Sequence, residues 1–375
     1  MKSRLDLKNI KRCVVKIGSA VLTDNGRALN RAAINHWAAQ IAELKKQGIE
    51  VVVVSSGSVA EGMARLGWRE RPHALHKQQA AASVGQMGLI QAYEESFQKL
   101  GSITAQVLLT HDDLTNRKRY LNAQATIKTL LELSVVPIIN ENDVVANDEL
   151  RVGDNDTLAA IIANLISADV LIILTDQLGF YNEDPRVHAH AKLITEANAD
   201  DKTLDLAASG GSGALGRGGM QTKLTAARIA ARSGASTVIA PGLKEQVILN
   251  VINGVNVGTM LLPTMTPVSA RKRWLTVHLE AKGQLMLDQG ASEALKYLGK
   301  SVLPVGVVAV KGVFNRGDLV VCMNADGKEI ARGLVNYDAQ DISKIKQRNS
   351  SDIEGLLGFV AEAELIHRDN LVLSK

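Results

Sequence analysis

The sequence predicts an α/β fold, in which a mostly parallel sheet is sandwiched by helices and is followed by a small β-rich barrel. Three observations predict it. Short β-branched runs alternate with alanine-rich helical segments over the first two-thirds of the 375 residues. Aromatic residues make up only 3% of a chain that is 46% hydrophobic, so the strands are aliphatic, as in sheets buried on both faces. Beyond Pro263, short strands separated by glycines follow.

Apolar runs and periodic segments give the elements of the large domain in order. The predicted strands are 13–17, 51–54, 135–139, 170–174 and 237–240. The predicted helices are 31–46, 77–100, 157–167 and 222–233. Strands and helices that alternate in this way are typical of βαβ units.

The change of pattern near Pro263 gives the domain limits. Residues 1–262 are predicted to form the α/β domain, and 263–280, with two prolines and the basic run 271–273, a linker. Residues 281–360 are predicted to form the barrel, and 361–375 a C-terminal tail. The predicted barrel strands are 302–306, 307–310, 317–322 and 329–332.

Composition excludes several classes of protein. The net charge of +4 is smaller than is usual for a chain whose main task is nucleic-acid binding. Cys13 and Cys322 fit neither a disulfide framework nor a zinc site. Because the N-terminus lacks the apolar segment of a signal peptide and no run reaches membrane-spanning length, a cytoplasmic location is expected, with no membrane partner.

The segment 140–156 directly follows the predicted strand 135–139 and carries six carboxylates and four asparagines. Ligands of open α/β sheets bind beyond the carboxyl ends of the strands. The segment therefore predicts a site for a polar or cationic ligand. A charged surface loop is the alternative.

Two other strand ends have the features of an anion site. Lys16 lies inside the first predicted strand, where an ammonium group is costly unless it meets an anion. The second strand ends in Ser55-Ser-Gly-Ser58 before a predicted helix, whose free N–H groups and dipole attract phosphate. The alternatives are a Lys16 that reaches solvent from an edge strand and a Ser58 that serves only as N-cap.

The glycine-rich segment 209–223 fits neither the Rossmann dinucleotide-binding motif nor the P-loop in its full context. It contains G-x-G-x-x-G, but no strand precedes it, and Arg217-Gly218 stands where a P-loop requires Lys-Ser/Thr. A flexible loop that leads into a helix fits better, because its glycines would let the backbone approach phosphates while Lys223 adds a positive charge. A linker that binds nothing is the alternative.

Thr175 and Asp176 end the fourth predicted strand, a position from which side chains contact nucleotides. The turns at 179–181 and 184–186 that follow are a weak signal, because Asp-Pro turns are common.

Together these segments resemble the amino-acid kinase family, and within it the branch that acts on L-glutamate. The matching stretches are 14–19, 54–57, 136–143, 152–156, 174–176 and 216–223. Residues 281–359 resemble a PUA domain, so the resemblance covers nearly the whole chain. The chain departs from the pattern at 55–58, where Thr-Ser-Gly-Ala is more usual, and at Arg217, where a smaller residue is ordinary.

The resemblance implies ATP-dependent phosphorylation of the side-chain carboxylate of L-glutamate, the first step of proline biosynthesis. It implies that Lys16 and Lys223 hold the transferring phosphoryl group and that Asp156 orients them. The residues implied to bind glutamate are Ser56, Asp143 and Asn155. Those implied to bind ATP are Lys16, Thr175, Asp176, Arg217, Gly218, Gly219, Met220, Gln221, Thr222 and Lys223.

Cofactors and partners are also implied by the resemblance. They are Mg²⁺, held mainly by the ATP phosphates with few protein ligands, proline as feedback inhibitor, a homo-oligomer (dimer or tetramer) and a glutamyl phosphate reductase. The chemistry agrees, because a glutamate carboxylate with a pKa of about 4.3 is ionised at pH 7 and needs no general base. The eight histidines show neither triad nor metal spacing. Phosphoryl transfer instead requires positioning and cations.

Two alternatives stay open. The first is another kinase of the same family, which acts on a different carboxylate, a carbamate or a nucleotide. The second is an RNA-binding or RNA-modifying protein, because Lys311, Arg316 and the run 271–273 are basic positions in or near the PUA-like region. The scarcity of aromatic residues for base stacking argues against RNA binding.

Overall fold

The computed structural model describes residues 3–23, 28–146, 155–208, 219–264 and 281–374. The chain divides into two compact units, residues 1–268 and 269–375, which correspond to an α/β domain and a smaller β-rich domain.

The first unit contains ten described strands, ten described α-helices and the 3-10 helix Arg4–Asn9. The strands are β1 (Arg12–Ile17), β2 (Glu50–Ser55), β3 (Thr104–Leu109), β4 (Val136–Glu141), β5 (Val170–Thr175), β6 (Phe180–Tyr181), β7 (Leu193–Ile194), β8 (Glu196–Asn198), β9 (Ser236–Pro241) and β10 (Thr259–Leu262). The helices are α1 (Ser19–Leu22), α2 (Arg31–Lys46), α3 (Ser58–Arg65), α4 (Leu75–Gln98), α5 (His111–Thr115), α6 (Arg117–Glu132), α7 (Asn155–Leu165), α8 (Thr203–Ala208), α9 (Met220–Ala231) and α10 (Val247–Ile252).

Eight of these strands form one sheet in the order β3-β4-β2-β1-β5-β9-β10-β8. Neighbouring strands are parallel except β9 and β10. Successive residues of β1 face opposite sides, so that Val14 enters one hydrophobic cluster while Val15 and Ile17 enter the other. The prediction of a mostly parallel sheet buried on both faces is confirmed.

Each of the five predicted strands and four predicted helices is present, within a few residues of its predicted bounds. The sequence did not reveal β3. This strand lies at the edge of the sheet, and most of its side chains are only partly buried, so it lacks the continuous apolar run by which the other strands were recognised.

Helices α3 and α4 pack with their backbones unusually close. A Cβ atom added to Gly62 would lie 1.6 Å from the Ala81 carbonyl oxygen, and one added to Gly85 would lie 1.8 Å from the Ser58 carbonyl oxygen. Neither backbone atom can yield without shifting a helix. Glycine at both positions therefore fixes the distance between α4 and the N-terminus of α3.

We expect Gly85→Ala to destabilise the α/β domain. Overpacking against a backbone atom costs about 3 kcal/mol, whereas replacing a mid-helix glycine gains only about 1 kcal/mol. The net loss of about 2 kcal/mol is measurable by urea unfolding. Gly88→Ala is the matched control on the same helix, because its Cβ would meet side-chain atoms of Arg65 and Glu61, which can move. Equal costs for the two variants would contradict the close-packing argument.

The second unit is built on a five-stranded sheet in the order β12-β11-β13-β14-β15. Its strands are β11 (Gly283–Leu287), β12 (Val307–Gly312), β13 (Leu319–Met323), β14 (Glu329–Leu334) and β15 (Leu371–Leu373). Its helices are α11 (Gln289–Tyr297), α12 (Ala339–Ile345) and α13 (Ile353–Leu357). The predicted small β-rich domain is confirmed.

Two details of this unit differ from the expectations. The predicted strand 302–306 is absent: Pro304–Gly306 form a 3-10 turn, and Val302 makes only an isolated bridge to Ile366. Pro304 has no N–H to contribute to a ladder. The expected C-terminal tail contributes a strand, because residues 371–373 pair with β14 and Leu371 is buried.

Two sequence expectations concern cysteines and membrane segments. Cys13 and Cys322 are free thiols buried in the cores of separate units, and burial raises the pKa of each to about 12. Neither thiol therefore ionises near neutral pH.

Over the part of the chain that the structure describes, no helix has the length and apolar character needed to cross a membrane.

Candidate active site

The carboxyl ends of four neighbouring strands, β4, β2, β1 and β5, meet at one edge of the sheet. Because all four are parallel, the polar residues that follow them share that edge. Helices α7 and α9 each begin with predicted site residues and pack against one another. This arrangement brings together residues that are far apart in the sequence.

Lys16, Asp156 and Lys223 form a buried ion cluster. The ammonium nitrogen of Lys16 lies 2.5 Å from Asp156 Oδ1, and that of Lys223 lies 3.0 Å from Asp156 Oδ2. Each carboxylate oxygen thus faces one lysine. Asp156 is 0% exposed and Lys16 is 5% exposed, so the alternative of a Lys16 that reaches solvent is wrong.

The electrostatic balance of this cluster keeps Asp156 ionised. Burial would raise the pKa of Asp156, but the charges of Lys16 and Lys223 and their hydrogen bonds together hold it below its usual value. Thr222 also donates from Oγ1 to Asp156 Oδ2 at 3.2 Å. Two cations share one anion, so the cluster retains one unit of positive charge for a further anion.

Asn155 organises a second, uncharged cluster beside the ion cluster, since it directly precedes Asp156 at the start of α7. Its Nδ2 lies 2.6 Å from the Ser55 carbonyl oxygen, 3.0 Å from Ser56 Oγ and 3.0 Å from Asn140 Oδ1. One amide thereby connects the ends of β2 and β4 to α7. Asn155 and Ser56, both predicted site residues, are in direct contact.

Asp143 joins this edge through Ser58. The Ser58 hydroxyl donates to Asp143 Oδ2 at 3.2 Å, and Ser58 is the first residue of α3. The N-cap position is Gly57, whose φ of 95° lies in the left-handed region, so the reading of Ser58 as N-cap is wrong.

A pocket adjoins the ion cluster on the side of β5. Its described lining residues are Thr175, Asp176, Gln177, Tyr181, Glu183, Asp184, Pro185, Arg186, Ala207, Ala208, Gly219, Met220 and Lys223. Five predicted ATP-contact residues are among them, whereas Lys16, Gln221 and Thr222 lie outside the lining. The Asp184–Arg186 turn, a weak signal in the sequence, lies at this pocket with Arg186 Nη2 2.8 Å from Asp184 Oδ2.

Several predicted residues lie outside the part that the structure describes. Arg217 and Gly218 belong to the undescribed range 209–218, and residues 147–154 of the acidic segment are likewise undescribed. The basic run 271–273 falls in the undescribed range 265–280. Lys311 is exposed on β12.

Asn140 is the site residue that sequence reasoning did not assign. It is 2% exposed, ends the buried part of β4 and contacts Asn155 directly. One feature of the sequence could have identified Asn140: it is the first polar residue after the apolar run of β4. Ser55, whose carbonyl oxygen accepts from Asn155, carried the corresponding signal at the end of β2.

Within the described ranges, no group of three or more His, Cys, Asp or Glu side chains is arranged to hold a metal ion. Asp156 is a poor ligand candidate because each of its oxygens already faces an ammonium group. The donor set therefore does not fit a metal site made by these protein side chains alone.

Comparison with known proteins places this site in a family. A model of the amino acid kinase family matches residues 11–241, and a model of the PUA domain matches residues 283–357. A glutamate 5-kinase of Thioalkalivibrio sulfidiphilus is 57% identical over 99% of both chains. This chain belongs to the glutamate 5-kinase branch of the amino acid kinase family. A second member of the branch, from Ectopseudomonas mendocina, is 58% identical over 97% of this chain and 98% of its own.

The family assignment accounts for both units of the chain, since the two models match one unit each. Among solved structures, the UMP kinase of Bacillus anthracis aligns with 68% of this chain and 97% of its own at 16% identity, with a TM-score of 0.48. The resemblance read from the sequence motifs is confirmed at the level of the family and its branch.

Proposed function

We propose that this chain is a glutamate 5-kinase, which transfers the γ-phosphoryl group of ATP to the side-chain carboxylate of L-glutamate. The product is L-glutamyl 5-phosphate, and the reaction is the first step of proline biosynthesis. The observation that carries the proposal is the buried cluster of Lys16, Asp156 and Lys223. It lies next to the amide-lined edge, formed by Asn140 and Asn155, and next to the pocket beside β5. The names of relatives at 57% and 58% identity support the choice of substrate.

The reaction requires no proton transfer at the nucleophile. A glutamate carboxylate oxygen attacks the γ-phosphorus, the bond to the oxygen that bridges the β- and γ-phosphates breaks, and its electron pair leaves with ADP. Charge accumulates on the transferring oxygens. Lys16 and Lys223 would stabilise that charge, because both ammonium groups are held near one point by Asp156 and are shielded from water.

Asp156 would act by positioning rather than by accepting a proton. Its pKa lies below the usual carboxyl value, so Asp156 is ionised at neutral pH and holds both ammonium groups in place before ATP arrives. Preorganisation of this kind lowers the cost of ordering two flexible side chains in the transition state.

Glutamate would bind at the amide-lined edge. Asp143 can accept from the substrate ammonium group, while Ser56 and Asn155 offer hydroxyl and amide groups to its carboxylate. We assign these residues to substrate because Asn155 directly precedes Asp156 of the ion cluster and contacts Ser56, and because Ser58 holds Asp143 at the same edge.

ATP would occupy the pocket beside β5, with Thr175, Asp176, Gly219 and Met220 around the nucleotide and Lys223 at its phosphates. Arg217 and Gly218, which lie outside the described residues, would also contact the nucleotide. Mg²⁺ bound to the ATP phosphates would supply additional positive charge there. No protein ligand is assigned to it.

The test is an acyl-phosphate assay. We expect purified protein with ATP, Mg²⁺ and hydroxylamine to form hydroxamate and ADP in equal amounts when L-glutamate is present. Aspartate, N-acetylglutamate and no acceptor are the controls, and a signal with one of these instead would overturn the substrate assignment. Proline in the same assay tests the implied feedback inhibition, since overlap with the glutamate site requires a higher apparent KM for glutamate.

A further inference from the structure

Gln86 is a buried polar residue of α4 that the reaction described above does not use. It is 9% exposed, and its Oε1 accepts a hydrogen bond from Asn140 Nδ2 at 2.8 Å. Its Nε2 is buried and finds no hydrogen-bond partner among the residues that the structure describes. The contact with Asn140 is therefore the polar interaction that places this amide.

The contact helps to fix which way the Asn140 amide faces. Because Nδ2 donates to Gln86, Oδ1 points the other way, where it accepts from Asn155 Nδ2 at 3.0 Å and from the Glu141 N–H at 2.9 Å. An asparagine amide turned by half a rotation would place two donors against each other. The Gln86 acceptor and the Glu141 N–H together hold the Asn140 amide with its oxygen towards Asn155.

The same face of α4 supports the neighbouring strand. Tyr93 lies two helical turns after Gln86, and its hydroxyl is 3.0 Å from Ser55 Oγ in a buried contact. The Ser55 carbonyl oxygen in turn accepts from Asn155 Nδ2 at 2.6 Å. Two of the three acceptors around Asn155 are therefore connected to α4.

The position of helix α4 is itself fixed by close packing against α3. The approach of Gly85 to the Ser58 carbonyl ties α4 to the start of α3, where Ser58 holds Asp143. A shift of α4 would displace residues at β2, β4 and α3 together.

We propose that Gln86 is a positioning residue for the glutamate site, which acts through Asn140 to orient Asn155. This inference rests on the proposed function, because it takes Asn155 as a glutamate-binding residue. It adds a residue from a helix that carries none of the site motifs. The ATP pocket has no lining residue from α4, so Gln86 should affect glutamate and not ATP.

The decisive variant is Gln86→Met, which preserves the length of the side chain and removes its acceptor. We expect the KM for glutamate to rise about tenfold or more, the change that loss of one hydrogen bond produces, with the KM for ATP within about twofold of wild type. Gln91→Met is the matched control on the same helix, because Gln91 is exposed and bonds only to Glu95 among the described residues.

A double-mutant cycle separates positioning from a general effect on the fold. Asn140→Ala should raise the KM for glutamate, and adding Gln86→Met to it should raise the KM little further, because Gln86 acts only through Asn140. Additive effects would overturn the proposal, and so would an unchanged KM for glutamate in Gln86→Met.

Folding must be checked in the same samples by thermal unfolding. If Gln86→Met does not fold, Gln86→Asn provides the same measurement, since its shorter amide cannot reach Asn140. Failure of both to fold, or an equal rise in the KM for ATP, would make Gln86 a structural residue and overturn its role in positioning. A wild-type protein without glutamate-dependent hydroxamate would overturn the proposed function and this inference with it.

Discussion

Asp156→Asn is expected to reduce kcat about a thousandfold, as loss of a transition-state charge contact does. The amide cannot hold two ammonium groups, so Lys16 and Lys223 would repel one another in a buried site. One of them would turn away from the site towards solvent. Steady-state hydroxamate formation measures kcat, and ADP release in the absence of glutamate serves as background. Asp326→Asn, a change in an exposed turn of the second unit, is the control.

The same substitution is expected to lower the free energy of unfolding at pH 7 by about 3 kcal/mol, because it leaves buried charges without a partner. The pKa of Asp156 is lowered in the folded protein, so its contribution is present above the ordinary carboxyl pKa and is lost as the pH falls through the folded value. The difference between wild type and variant should be constant from pH 7 to about pH 5 and decrease below about pH 4. Urea unfolding at each pH measures it, and a difference that grows on acidification would contradict the ion cluster.

Lys223→Met is expected to lower kcat by about three to five orders of magnitude, the range seen when a cation at the transferring phosphoryl group is removed. The KM for glutamate should change little, because Lys223 lies at the ATP pocket and not at the Asn155 cluster. Initial rates with each substrate varied in turn measure the two parameters.

Lys46→Met is the matched control, since Lys46 is exposed at the end of α2. Lys223→Arg separates charge from geometry: the bulkier planar guanidinium should restore little activity in a site built around an ammonium group. A Lys223→Met variant with an unchanged kcat would remove Lys223 from the reaction.

Sequence patterns predicted a large part of the fold because they are local. Buried parallel strands require continuous apolar runs, and Val51–Val54 or Val170–Leu174 form such runs whatever their neighbours are. The polar residues that follow the strands, among them Ser56 and Thr175, were identified because parallel strands place their carboxyl ends at one edge. Where burial is partial, as in β3, or where proline interrupts the pairing, as at Pro304, the pattern failed.

Contacts between distant segments could not be inferred in this way. The sequence places Lys16 in a strand and Lys223 in a helix, but only the packing of α7 and α9 at the end of β1 brings them to the two oxygens of Asp156. Gln86 gave no signal at all, because one glutamine among several on α4 looks like part of a solvated face. Periodicity along the chain indicates which side chains are buried. It does not indicate the partner of a buried polar group, because that depends on how the helices pack. Here it depends on the close approach of α3 and α4 that Gly62 and Gly85 allow.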